Sequence, residues 1–496
     1  MSFLFVLDKT TRNGTLMVTD TGMATAQREG DRPTSLPGSV PTFAAQLADT
    51  AEGILAQARA AGATDADVIL RQGDEFEAEV RMGELESLKN SGSRAVGLRV
   101  FLAGADGQRV GSTSSSDLTP EGIARLVEGA VALARISSPD PFRELPEPGS
   151  FGAIEQELEL YYEDVYSLPD KERIDYARRV EAAALAADAR ISNSDGGSFS
   201  AATSMKVLAN SRGFLGAARS SYCGISAVPI AAGNDGEMQR DGWSSSARTI
   251  ARLETPEQVG AEAARRTLQR LNARRVPTQQ VPIVFSPEAA RSLISSMADA
   301  ANGDSIYRGS SFFTGKMGQQ VAHSSITVIN DGTMPGLFGS SAFDGEGLPT
   351  RRTVLIENGI LKSWLLNTYT GRKLGLPSTG NAARGLAGNP GIGTHNLYLP
   401  AGRLTPQQII AEIPQGLYLT GFLGRGVNMV TGDYSRGAMG IWIENGQLTY
   451  AVQEITVAGN LKDIFKNITA IGNDLEFRSS TACPTLRVDG LTIAGA

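Results

Sequence analysis

Histidine and cysteine are almost missing from this chain, with two of each in 496 residues. Cys223 and Cys483 stand far apart, which excludes a disulfide framework and any cysteine-based metal spacing. The pattern fits two buried free thiols in a reducing compartment. Long apolar runs are missing too. Phe3-Leu-Phe-Val-Leu7 is cut off by Asp8 and Lys9, short of the about 7–15 apolar residues of a secretory leader. No stretch approaches the about 20 apolar residues that cross a bilayer. Nor is there an excess of positive charge. Lys and Arg number 46 against 53 Asp and Glu, for a net charge of −7, which argues against a dedicated nucleic-acid surface. These absences predict a soluble cytoplasmic protein with neither membrane nor nucleic acid as partner.

What is present is enough apolar residue, 41%, to fill the cores of two or three domains. Residues 1–40 are rich in Thr, Gly, Arg and Pro without period and read as a disordered extension. A helix is expected over Pro41–Ala61, because Phe43, Leu47, Ala51, Ile54, Leu55 and Ala58 recur at three- and four-residue steps. Strands are expected at 66–71, 75–81, 95–102 and 108–113, the last two joined by a turn at Asp106-Gly107. Thr119-Pro120 opens a further helix. Pro139–Gly152 reads as a linker, giving a first module at 41–150. A second module, 151–273, holds an Ala-rich helix from Asp170 to Arg190 and a helix opened by the capping box Thr255-Pro-Glu-Gln258. Residues 274–496 turn strongly to β. There Asn358-Gly359 and Asn445-Gly446 mark two hairpins, and Thr405-Pro-Gln-Gln408 is a second capping box. The fold class is α+β: an N-terminal α/β region with antiparallel sheet and a β-rich C-terminal domain.

Recognisable catalytic machinery is scarce. His323 and His395 are widely separated, and neither is followed by the glutamate of a helical zinc motif. No nucleophile elbow, Walker loop, dinucleotide fingerprint or C-x-x-C occurs. Three polar segments stand out as binding candidates. Gly432-Asp433-Tyr434-Ser435-Arg436-Gly437 offers Tyr and Arg, which anchor interfaces, beside turn glycines. Phe343-Asp344-Gly-Glu346-Gly-Leu-Pro-Thr350 offers two carboxylates, either an acid–base pair or a solvated turn. Gly380-Asn-Ala-Ala-Arg384 through Gly393-Thr-His395-Asn396 reads as a flexible flap or a passive surface loop.

The block Gly432-Asp-Tyr-Ser-Arg-Gly-Ala-Met-Gly-Ile-Trp-Ile-Glu-Asn-Gly446 resembles the C-terminal signature of the TldD/PmbA family of metalloproteases, also known as modulators of DNA gyrase, and within it the PmbA (TldE) branch. Ser112-Thr-Ser-Ser-Ser-Asp117, Gly196-Gly-Ser-Phe199, Trp364-Leu-Leu-Asn367 and Ala458-Gly-Asn-Leu461 extend the likeness to most of the chain. TldD-type members carry H-E-x-x-x-H ahead of a segment similar to Asp304-Ser-Ile-Tyr-Arg308-Gly-Ser-Ser311. Counted back from that segment, the histidine positions here are Ile294 and Asp299, and the glutamate position is Ser295. The resemblance therefore implies a chain with no catalytic or metal residues of its own. It implies a TldD-type catalytic subunit as heterodimer partner, zinc in that partner, peptide as substrate, and Asp433, Tyr434, Ser435, Arg436, Asp344, Glu346 and Arg384 as candidate partner- or peptide-binding residues. A homodimer, a peptidase active by itself and a gyrase-associated regulator stand as alternatives.

Overall fold

Four long strands organise the N-terminal half: Asp65–Arg81, Glu84–Gly104, Ile191–Asn210 and Leu215–Ala232, each of 17 to 21 residues. At about 3.3 Å per residue they run about 55–70 Å. With Gly107–Ser115 they form an antiparallel sheet. The computed structural model describes residues 4–6, 23–24 and 40–495, apart from 235 and 425. The expected disordered extension thus lies mostly outside the described residues; of its described parts, Leu4–Val6 pairs antiparallel with residues 216–218.

The strand lengths correct the sequence reading. Segments 66–71 and 75–81 are one strand, continuous through Gly73, where a Cβ would stand 2.3 Å from the Thr203 carbonyl oxygen on the next strand. Residues 84–94 also belong to a strand. Their polar composition hides it, because that stretch has no buried face. The two strands meet in a turn at Met82-Gly83, both residues at positive φ. The buried Glu181 carboxylate clamps the turn, accepting from Met82 N at 2.8 Å and Gly83 N at 2.9 Å. The turn expected at Asp106-Gly107 falls one residue earlier: Gly104 pairs with Gly107 across Ala105-Asp106.

One face of this sheet carries two helix pairs. Val68, Leu70, Val96, Leu98 and Val207 pack under helices Val40–Ala60 and Pro120–Ile136. Farther along the same strands, Phe76, Val80, Phe199 and Ile225 pack under helices Asp170–Ala186 and Pro256–Gln269. The even-numbered residues of strand 65–81 supply both cores, as the period of two requires. Strands from 41–150 and 151–273 therefore lie side by side in one sheet, the two sets meeting where Asp65–Arg81 pairs with Ile191–Asn210. The Pro139–Gly152 stretch, expected as a linker, is tied down at two places: Asp140 exchanges backbone hydrogen bonds with Gln108, and Arg372 donates to the carbonyls of Glu144 and Leu145.

In the C-terminal half, strand Gln279–Phe285 pairs with Gln415–Leu423 and with Leu486–Ala494. Asp433–Glu444 and Gln447–Asn460 complete the circuit, so five strands close into a ring. A smaller sheet contains Val328–Asp331, Arg352–Glu357 and Asn396–Tyr398. Helix Pro287–Ala300 packs between ring and sheet. The hairpins at Asn358-Gly359 and Asn445-Gly446 form as the sequence predicts, all four residues at positive φ. Both capping boxes form as well.

Candidate functional site

Helix Pro287–Ala300 is where the sequence places the vacated motif. Ser286 caps it, accepting from Ala289 N, and Leu293, Ile294 and Met297 face the core. Ile294 is fully buried and has only carbon to offer. Ser295 is half-buried and Asp299 exposed. Ser311, in the segment that follows, donates to the Ala300 carbonyl at 2.6 Å and so ties that segment to the helix end. A zinc ion needs three or four N, S or O donors converging on one point. Among the described residues no group of three or more His, Cys, Asp or Glu is so placed, and an aliphatic side chain holds one of the expected ligand positions. The donor set does not fit the metal.

Beside this helix lies strand Asp433–Glu444. Gly432, at φ +86, closes the preceding turn, and the strand begins at once. The expectation of an exposed Tyr434 anchor is therefore corrected: strand alternation sends Asp433 and Ser435 outward and Tyr434 into the core, 2% exposed. The Tyr434 ring meets Phe422 edge-on at 6.3 Å. Its hydroxyl, near Ser292 and Arg436, has no hydrogen-bond partner of good geometry among the described residues, and burial pushes it up to about 12. The half-buried Arg436 guanidinium lies 3.8 Å from the Phe422 ring centroid, donates to the Gly424 carbonyl at 3.3 Å and leaves Nε unpartnered. Asp433 accepts from Thr431 and Asn460, which hold its carboxyl below the usual range. This margin thus combines hydroxyls, one guanidinium and two unsatisfied polar atoms, with no base beside a nucleophile.

The second and third candidate segments meet elsewhere, against the N-terminal sheet. Asp344 and Glu346 are 3% and 6% exposed, so neither sits in a solvated turn. Asp344 Oδ1 accepts from Glu346 N at 2.8 Å and Leu348 N at 3.1 Å, and Oδ2 from Ala382 N at 3.0 Å. Glu346 Oε2 accepts from Thr368 N at 2.9 Å, at the start of helix Thr368–Leu374. These carboxylates staple backbone; their geometry is not that of an acid and base facing an open site. Burial, then the neighbouring Glu346, raises Asp344 to about 7 against the opposing pull of its three N–H donors.

Residues 380–396 are docked, which corrects the flap expectation. Arg384 Nη1 stands 2.6 Å from Asp67 Oδ1, with both side chains buried. Asp67 also accepts from Arg99 Nε at 3.1 Å. Arg71 donates to the Arg384 carbonyl at 2.8 Å, and Gly388 N to Ser112 Oγ at 2.7 Å. At Gly97 the strand has no room for a side chain: a Cβ would sit 1.6 Å from the Leu386 oxygen. Lys206 adds its ammonium 4.6 Å from the Phe343 ring centroid, and desolvation, with Arg71 nearby, pushes it down to about 8. Sequence reasoning missed Asp67, Arg99 and Lys206. The available signal was a charge inside an apolar strand, as in Ala66-Asp67-Val-Ile-Leu70 and Gly97-Leu-Arg99-Val-Phe-Leu102.

Two thiols and two imidazoles remain. Cys223 is buried and pushed up to about 12 by desolvation; Cys483, also buried, is pushed up further. His395 is buried beside the Gly380 carbonyl at 2.8 Å and held below its usual range by desolvation. His323 is exposed and contacts Ser325.

An α+β chain with a long-stranded N-terminal sheet, a closed C-terminal ring and a core helix between ring and smaller sheet defines the architecture. Three family descriptions match it: PmbA/TldA metallopeptidase domain 1 at residues 66–134, the central domain at 163–271 and the C-terminal domain at 278–495. The metalloprotease PmbA of Escherichia coli O157:H7 is 39% identical over 437 residues, covering 88% of this chain and 94% of that protein. A crystal structure from Bacteroides thetaiotaomicron, described as a candidate modulator of DNA gyrase, superposes with a TM-score of 0.83 at 26% identity, covering 90% of this chain and 98% of that one. TldE from Thermococcus kodakarensis shares the fold, with a TM-score of 0.79 at 21% identity over 90% of this chain and 100% of its own. The chain belongs to the PmbA/TldD metallopeptidase family. No helix among the described residues is long and apolar enough to cross a membrane.

Proposed function

We propose that this chain is the non-catalytic, TldE-type subunit of a two-subunit metallopeptidase that acts on small or unstructured peptides, with zinc held by a TldD-type partner. The observation that carries the reading is Ile294. A fully buried aliphatic side chain stands where the catalytic branch has a ligand, and the neighbouring Ser295 has no carboxylate to act as general base. A chain without donors serves such an enzyme through contact. The margin beside the helix suits that role: Leu423 and Val430 are each 57% exposed there, next to Ser435 and Arg436, the mixture of apolar and Arg groups that forms interface centres.

The test is metal analysis and peptide hydrolysis by the chain alone, by a TldD-type subunit alone and by their mixture. Zinc should travel with the partner, and hydrolysis should need both. Val430→Asp should weaken association and lower activity of the mixture together, leaving the melting temperature of the chain unchanged. About one zinc per chain in the isolated protein, with chelator-sensitive hydrolysis, would overturn the proposal.

A further inference from the structure

A cleft of about 170 Å³ lies between helix Pro256–Gln269 and the outer wall of the C-terminal ring. The helix side presents Arg265 and Arg266, with Arg270 just beyond its end; the ring supplies an apolar floor of Met439, Ile441 and Leu448. Glu288, from the first turn of helix Pro287–Ala300, also lines it.

The three guanidinium groups are not equally satisfied. Arg265 pairs with Glu262 at 2.6 Å. Arg266 Nε is buried 3.7 Å from Asp241 Oδ1 with no hydrogen bond among the described residues, and the guanidinium lies over the Trp243 ring. Arg270 donates to the Arg240 carbonyl at 2.6 Å and has no carboxylate at ion-pair distance among the described residues. Desolvation lowers its proton affinity, and the adjacent Arg266 and Arg240 add to that against Asp241. Arg240 is itself occupied by Asp195 at 2.5 Å. Two guanidinium groups thus carry unused donors into a space that also has an apolar floor.

The ligand chemistry follows from the lining. A multiply charged phosphate would face Glu288 and Asp241 as well as the arginines. A monocarboxylate on a small apolar body suits the arginines and the floor, and sets less charge against Glu288 and Asp241. We infer that this cleft binds a carboxylate carried on a body the size of one hydrophobic amino-acid residue, with Arg266 and Arg270 taking the carboxylate and Met439, Ile441 and Leu448 the apolar part. A free amino acid and the C-terminal residue of a peptide share this chemistry; the first would add an ammonium for Glu288. The inference stands apart from the subunit proposal, since Ile294, Ser295 and Asp299 do not line the cleft.

The test is calorimetric titration of the full chain with leucine, N-acetyl-leucine, leucinamide, and a short peptide ending in leucine with a free or an amidated terminus. At least one carboxylate form should saturate, and its amide should bind about tenfold or more weakly, the loss expected for hydrogen bonds to a charged group. Binding of leucine but not N-acetyl-leucine supports a free amino acid as occupant. Binding of N-acetyl-leucine and the free-ended peptide supports a peptide terminus. Arg270→Gln should weaken the saturating ligand about tenfold. Met439→Glu, which leaves the arginines in place but sets a carboxylate in the floor, should abolish binding. No saturation by any carboxylate, equal binding of acid and amide by the parent chain, or two folded variants that bind like the parent would each overturn the inference.

Discussion

Two polar clusters that look alike in sequence occupy opposite physical situations. Asp344, Glu346 and Arg384 sit at the junction of the N-terminal sheet and the C-terminal domain, where backbone N–H groups donate to both carboxylates and Arg384 is ion-paired with Asp67, although its guanidinium nitrogens make no hydrogen bond of good geometry among the described residues. Tyr434 and Arg436 sit at the edge of helix Pro287–Ala300, each with a buried polar atom that has no hydrogen-bond partner among the described residues. The first cluster holds the fold together: each of its charged groups faces backbone donors or an opposite charge. The second contributes little polar energy to the fold and retains unused hydrogen-bonding capacity. Burial alone does not separate them, since Tyr434 is as buried as Asp344; charge compensation does, because Arg384 faces Asp67 while Arg436 has no carboxylate at ion-pair distance among the described residues.

The contrast breaks most directly at Asp67. Asp67→Ala leaves Arg99 and Arg384 buried without their counter-charge, and should cost about 3–5 kcal/mol, read as a fall in the urea midpoint. A loss below about 1 kcal/mol would show that the junction is solvated and that the two clusters do not differ. Asp344→Ala should cost about 3 kcal/mol, because three backbone N–H groups lose one acceptor and each orphan costs about 1–3 kcal/mol, not fully additively. Hydrogen exchange at Ala382 should speed up in the same variant.

A further effect lies in pH. Asp344 is raised to about 7 in the folded chain, against about 3.9 unfolded. The folded state therefore holds the proton more tightly. The stability this adds is fully present below about pH 4 and is lost as pH rises through about 7. Asp344→Asn should flatten that slope between pH 4 and 7, with a constant penalty from the Ala382 N–H that faces the new amide. An unchanged slope would assign the titration to another group. The smallest effect belongs to the other cluster. Tyr434→Phe removes a hydroxyl that has no partner, so stability should move by less than about 1 kcal/mol, whereas Tyr434→Ala opens a cavity and should cost about 3–5 kcal/mol. A large loss in Tyr434→Phe would reveal a partner for that hydroxyl and erase the contrast.

Much of the fold was legible because its signals are local. Capping boxes at Thr255 and Thr405 and hairpins at Asn358-Gly359 and Asn445-Gly446 depend on a few adjacent residues, and all formed. The long hairpin 65–104 was only partly legible, since its distal half has one solvated face and its polar second strand carries no period to read. The site was less legible still. Asp344, Glu346 and Arg384 read as surface loop because only their distant neighbours, Ala382, Thr368 and Asp67, bury them. Tyr434 read as a turn tip because the strand start after Gly432 is set by pairing with Gln447–Asn460.

The sequence by itself determined the family and the α+β class, and it set Ile294 on helix Pro287–Ala300, a side chain without nitrogen, sulfur or oxygen that cannot ligate a metal in any fold. Tertiary structure alone decided which polar groups are spent and which are free. That depends on who lies across the interface, as when Gly97 lets the Leu386 backbone close over the sheet and brings Arg384 onto Asp67. Partners separated by hundreds of residues leave no local pattern, and only packing brings them together.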